Sequence, residues 1–106
     1  MEVHRVLGPG FLEVVYQRAL EHELALKAVP YTPQKLIRVH YKGTFVADHY
    51  LDLLVSDAVV VELKAVERLL SIHTAQTLSY LKAARKRVGL LINFGTKSLD
   101  FRRLVL

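Results

Sequence analysis

Between Asp52 and Lys64 the chain reads DLLVSDAVVVELK, two apolar runs of strand length that carry two carboxylates and an ammonium. Val59, Val60 and Val61 leave the second run no polar side, so both of its faces must be covered. Side chains two apart on a strand share a face. Val60, Glu62 and Lys64 therefore point one way and Val59, Val61 and Leu63 the other; by the same rule Asp48, Tyr50, Asp52 and Leu54 share a face upstream. Whether the two acids meet depends on the turn. A two-residue loop, Ser56-Asp57, sets Asp52 opposite Val61 and sends the acids to opposite faces. A three-residue loop, Ser56 to Ala58, sets Asp52 opposite Glu62 with Cβ atoms about 4.5–5.5 Å apart. Carboxylates that close repel unless a cation lies between them, so the stretch demands an odd-numbered loop or a bulge, and a metal ion. The ordinary role of Glu and Lys at a strand end is a solvated tip; the residues around them argue against it here.

Upstream, Leu12, Val15, Tyr16, Ala19, Leu20 and Leu24 form the apolar stripe of a helix predicted over Gly10 to Lys27, with Glu13 at its border. An ordinary purpose for Glu13 is interaction with the helix dipole. After Pro30 and Pro33, Gln34 to Tyr41 and Thr44 to Val55 read as strands joined at Lys42-Gly43. The third strand is Ala58 to Lys64, or starts one residue later if Ala58 belongs to the loop. Ser71 is the expected N-cap of a second helix reaching about Arg85. On that helix His73, Gln76 and Tyr80 fall within a sector of about 60°, either the solvent edge or a wall facing a metal cleft. Val88 to Asn93 reads as a buried strand, followed by an edge strand at Leu99 to Val105. Gln34 has capping of a strand end as its plain role. His40 and His49 read as surface histidines, because neither has a partner at metal-binding spacing. Passing from the third strand through a helix to a fourth implies a parallel pair with a right-handed crossover, hence an α/β sandwich with a mixed central sheet.

At 106 residues the chain makes one domain near the small end for burying a core alone. Hydrophobic content of 52% and mean hydropathy of +0.24 fit contact with a second copy, so a homodimer is expected. With no Cys there is no disulfide framework or thiolate zinc site. No apolar run is long enough to span a membrane, the N-terminus has no signal-like region, and a cytoplasmic location is expected. Net charge +5 with pI near 9.7 leans mildly toward a polyanionic partner. Arg85-Lys86-Arg87, Lys97 with Arg102-Arg103, and the strand face of Arg38, His40 and Lys42 are each solvated rims unless they converge, in which case they would bind phosphates.

An Asp followed about ten residues later by E-x-K on an apolar strand resembles the active-site signature of the PD-(D/E)XK nuclease superfamily. The likeness is closer to its GxxExxY family, whose helix motif stands here as Gly10-Phe11-Leu12-Glu13-Val14-Val15-Tyr16 after Leu7-Gly8-Pro9. It continues through YLDLLV, VVVELKAV, HTAQTLSYLKA and GLLINFG, and so covers nearly the whole chain. Gln76 to Tyr80 also resembles the Q-x-x-x-Y element of recombination-type exonucleases. Leu51 stands where the superfamily's usual Pro would be, Ala28 replaces a Gly that usually ends the first helix, and the chain begins at MEVHR where relatives usually carry another helical stretch.

The resemblance implies a restriction-endonuclease-like three-layer sandwich in the order αβββαβ(β). It also implies Mg²⁺- or Mn²⁺-dependent hydrolysis of phosphodiester bonds, with DNA as the expected substrate. Asp52, Glu62 and the carbonyl of Leu63 would hold the ion, with Glu13 as a third acid, bound directly or through water. Lys64 would orient the attacking water and stabilise charge on the phosphate. Gln76 and Tyr80 would hold a ligand, the DNA backbone or Lys64; His73 would touch the scissile phosphate or a water, and Arg38 the substrate. Two other classes stay open: a silent member that binds nucleic acid without cutting it, and an assembly module whose apolar surface binds a protein.

Overall fold

In the computed structural model, which describes residues 1–106, the order of elements is α1 (Glu2–Leu7), α2 (Glu13–Leu26), β1 (Tyr31–Tyr41), β2 (Thr44–Val55), β3 (Val59–Lys64), α3 (Ser71–Ala84), β4 (Val88–Asn93) and β5 (Asp100–Val105). The five strands form one sheet in chain order. β3 and β4 run parallel and every other pair is antiparallel, so the sheet is mixed. No helix is long and apolar enough to cross a membrane.

The three valines of β3 explain the layering. Val61 and Leu63 join Leu53, Ile92 and Phe94 beneath Tyr16 and Leu20 of α2 and Val3 of α1. Val60 packs with Ile37, Leu51, Leu54 and Leu81 of α3 on the other face. Each face buries several large side chains, at about 1.5–3 kcal/mol apiece, and neither could be left open to water.

Several details depart from expectation. α1 has no periodic signal, being too short; burial of Val3 and of His4, whose Nε2 lies 2.8 Å from the Thr96 carbonyl, holds it in place. α2 begins at Glu13 rather than Gly10, because Gly8 and Gly10 both have positive φ. β1 starts earlier than predicted and includes Pro33, which an edge strand tolerates. Ser71 is the first helical residue and Leu70 the N-cap; the His73 Nδ1 accepts the Leu70 N–H at 2.9 Å. Strict alternation also fails in β2. Leu51 and Leu54 both pack toward α3 while Leu53 packs toward α2, so Leu54 does not share the face of Asp48 and Tyr50.

Beyond β3, buried Asn93 grips the following loop. Its amide donates to Val66 O at 2.9 Å and its Oδ1 accepts from the N–H groups of Val66 and Gly95, both at 3.0 Å. A Cβ on Gly95 would lie 2.4 Å from Val66 O, so only glycine fits there.

Candidate active site

The β2–β3 register settles the question posed by the loop. Val55 pairs with Val59, Leu54 with Val60 and Leu53 with Val61, leaving Ser56, Asp57 and Ala58 as a three-residue loop. Ser56 and Asp57 both sit in the left-handed region, and the loop is tied down by Lys86, whose Nζ donates to Asp57 O at 2.8 Å. Ala58 belongs to the loop, and the same register carried one step on sets Asp52 opposite Glu62.

At that step side chains replace the regular ladder. Asp52 Oδ2 accepts the Leu63 N–H at 2.8 Å, and Glu62 Oε1 accepts the Asp52 N–H at 3.3 Å. The N–H and carbonyl of one strand residue point to the same side, so the Leu63 carbonyl is directed toward Asp52 as well. Two carboxylates and a carbonyl are the hard oxygen donors that Mg²⁺ or Mn²⁺ prefers. No three acidic or histidine side chains gather closely enough to enclose an ion by themselves. An ion that keeps most of its waters needs no more than two carboxylates, and the donor set fits one.

The electrostatics identify what else surrounds the pair. The Glu62 carboxyl is pushed up to about 9, first by burial, then by the charge and hydrogen bond of Asp52, with Lys64 opposing. Glu13, exposed on the rim at the start of α2, is raised by desolvation and then by Asp52, again against Lys64. Tyr80 of α3 is raised by desolvation and by Glu62 and Asp52. Helix α2, strands β2 and β3, and helix α3 thus converge on one cleft.

A pH dependence follows. Glu62 has a folded-state pKa above its ordinary 4.5, so from about 4.5 to about 9 the unfolded chain releases a proton that the folded chain keeps. Metal-free protein should therefore lose stability as pH rises through that window, and Glu62→Gln should remove this part of the slope. Thermal unfolding in chelator between about pH 5.5 and pH 8.5 checks it. Parallel profiles for the two proteins would show that Glu62 is not held protonated.

The other expected site residues divide. Half-buried Gln76 lies one turn before Tyr80 on α3. His73 spends one ring nitrogen on the helix cap, which leaves only Nε2 for anything in the cleft. Arg38 stands apart on β1, its Nε 4.0 Å from Asp48 Oδ1. His49, expected on the surface, instead stacks on Tyr80 with ring centroids 4.0 Å apart, and its Nε2 is buried with no protein partner. Burial lowers its pKa, with Asp52 and Lys64 acting in opposite senses. Its place two residues before fully buried Leu51 was the available signal.

Gln17 was missed altogether. It is buried, and its amide donates to the Asp52 carbonyl at 3.1 Å while its Oε1 accepts from Gln34 Nε2 at 3.1 Å. Gln34 lies between the Pro33–Leu53 and Lys35–Leu51 pairs, opposite Asp52, but its φ of 48° withdraws it from the ladder. Gln17 supplies the missing bond and so holds the backbone of the acid. A polar residue between Tyr16 and Leu20 on a sheet-facing helix was the sequence sign of this role.

Comparison with solved structures finds the same fold in the crystal structure of SSO0001, with a TM-score of 0.69 and 16% identity. The match covers 86% of this chain and 48% of that one, so this chain spans about half of its length. No curated protein sequence matches. A family model described as the PD-(D/E)XK nuclease superfamily matches residues 1–104. With acids and lysine carried on adjoining strands of such a sheet, and a family match over almost its whole length, the chain belongs to the PD-(D/E)XK nuclease superfamily.

Proposed function

We propose that this protein is a divalent-metal-dependent nuclease, of the GxxExxY branch, that hydrolyses phosphodiester bonds in DNA. The observation that carries the reading is the three-residue loop, which aligns Asp52 with Glu62 on the strand that also bears Lys64. Asp52, Glu62 and the Leu63 carbonyl would hold Mg²⁺ or Mn²⁺, with Glu13 reaching the ion through water. A bound ion would offset phosphate charge and make a coordinated water more acidic.

Lys64 sits on the same face as Glu62, half-buried, where its ammonium can orient the attacking water in line with the leaving oxygen. Tyr80 and Gln76, on the α3 wall, would hold the strand against the acids, as would the free nitrogen of His73. Gln17 keeps Asp52 in register. The net charge suits a polyanion, and action in the cytoplasm, with two copies associating, is part of this reading.

Incubation with labelled single-stranded, duplex and branched DNA and with RNA tests it, in Mn²⁺ and in chelator. Cleavage is expected with the metal and not with chelator, and Glu62→Ala should bind DNA without cutting it. Degradation that survives chelation, or a Glu62→Ala protein as active as the parent, would refute the assignment.

A further inference from the structure

A second cleft, of about 540 Å³, opens between β1 and the C-terminal half of α3 and touches none of the carboxylates of the acid pair. Its lining includes Arg38 and His40 from the strand and Ser79, Lys82 and Arg85 from the helix, with no acidic side chain among them. Residues far apart in the chain are needed to assemble it, and they bring His40 of β1 beside the basic end of α3. The Arg38 side chain lies with Asp48, its cross-strand partner, on the face away from α3, so the helix supplies the cations.

Its placement points to the occupant. Gln76, Tyr80 and Ala83 lie on one stripe of α3, and Tyr80 looks onto the acid pair while Ala83 looks into the cleft. Tyr80 to Arg85 spans about 7.5 Å of helix axis, so a strand laid along α3 past the acid pair reaches the cleft within a short step. We propose that this cleft binds backbone phosphates of the nucleic-acid strand next to the bond being cut, with Lys82 and Arg85 as the contacting cations. The proposal rests on the nuclease reading for what lies at the acid pair, and not for the cleft's own chemistry. Phosphate contacts position a strand without reading its sequence, so the cleft would secure substrate while leaving base choice open.

The test is a double variant, Lys82→Ala with Arg85→Asn, against a control, Arg5→Ala with Lys27→Ala, that removes equal charge from α1 and the end of α2 on the far side of the sheet. Oligonucleotide affinity is measured against salt in Mn²⁺, and hydrolysis of bis-p-nitrophenyl phosphate, too small to reach the cleft, is measured alongside. The log–log salt slope of the cleft variant should be shallower by about 2, with affinity falling roughly tenfold, while the control keeps the parent's slope. Small-diester hydrolysis should be unchanged. An unaltered slope in the cleft variant, or an equal change in the control, overturns the cleft. If the parent hydrolyses no diester, the nuclease reading fails by itself, and a slope lost only in the cleft variant still upholds the phosphate site.

Discussion

Lys64→Ala should lower the rate of phosphodiester cleavage by roughly 10³-fold, the scale of removing one preorganised charge from a reacting phosphate. Lys64 is half-buried at the end of β3, on the face that carries Glu62, and its charge opposes the upward shifts of Glu62 and Glu13. β3 ends at Lys64, and the next bond of the chain locks it: the Lys64 carbonyl accepts the Phe94 N–H at 2.8 Å. A side chain on so fixed a backbone loses little freedom when it acts. Lys64 also lowers the Glu62 pKa, so its removal raises Glu62 further and weakens metal binding near neutrality. The measurement is therefore single-turnover cleavage in saturating Mn²⁺ at about pH 8.5, where that secondary effect is smallest. A Lys64→Ala protein that cuts within a few fold of the parent would leave the lysine a structural residue and the proposed reaction without its second charge.

The second large effect concerns folding. Tyr16→Ala should cost about 3–5 kcal/mol, a large part of the stability of a domain this size. Tyr16 is fully buried, stacked on Phe94 with centroids 4.6 Å apart and edge-on to Phe11 at 6.1 Å. Its hydroxyl donates to Gly8 O at 2.6 Å and accepts the Phe11 N–H at 3.1 Å. Those two bonds pin the Gly8–Phe11 segment from which α2 starts, and Glu13 is the first residue of α2. Tyr16→Phe separates the contributions: it keeps the stack, loses both bonds at about 1–3 kcal/mol, and loosens the segment leading to Glu13. Thermal unfolding should place Tyr16→Phe several degrees below the parent, at roughly 4–8 °C per kcal/mol, with Tyr16→Ala largely unfolded. A Tyr16→Phe protein as stable as the parent would mean that the hydroxyl bonds contribute nothing net.

Much of this architecture was legible before any coordinates. Val59 to Val61 required a strand covered on both faces, and β3 is the centre of the five. The passage from β3 through α3 to β4 required a parallel pair, which the register bears out. The E-x-K spacing put Glu62 and Lys64 on one face by the geometry of any strand. What escaped was whatever long-range contact decides. α1 exists because Val3 and His4 are buried by residues some ninety positions away, which no local pattern announces. His49 has no partner nearby in the chain; only α3 folding across the sheet brings Tyr80 onto it.

By itself, then, the sequence determined the strands, the two long helices and the shared face of Glu62 and Lys64, because periodicity and spacing are local properties of a chain. It left the loop between Asp52 and Glu62 open between two and three residues, and a change of one residue there reverses every side chain beyond it. The tertiary structure decided that point: Val55 pairs with Val59, and Lys86 anchors Asp57 within the three-residue loop that this leaves. Gln17, from a different element, then holds the Asp52 backbone where β1 turns away. The meeting of His40 with Lys82 and Arg85 was likewise a matter of how β1 lies against α3, since the residues themselves carry no information about which of them will meet.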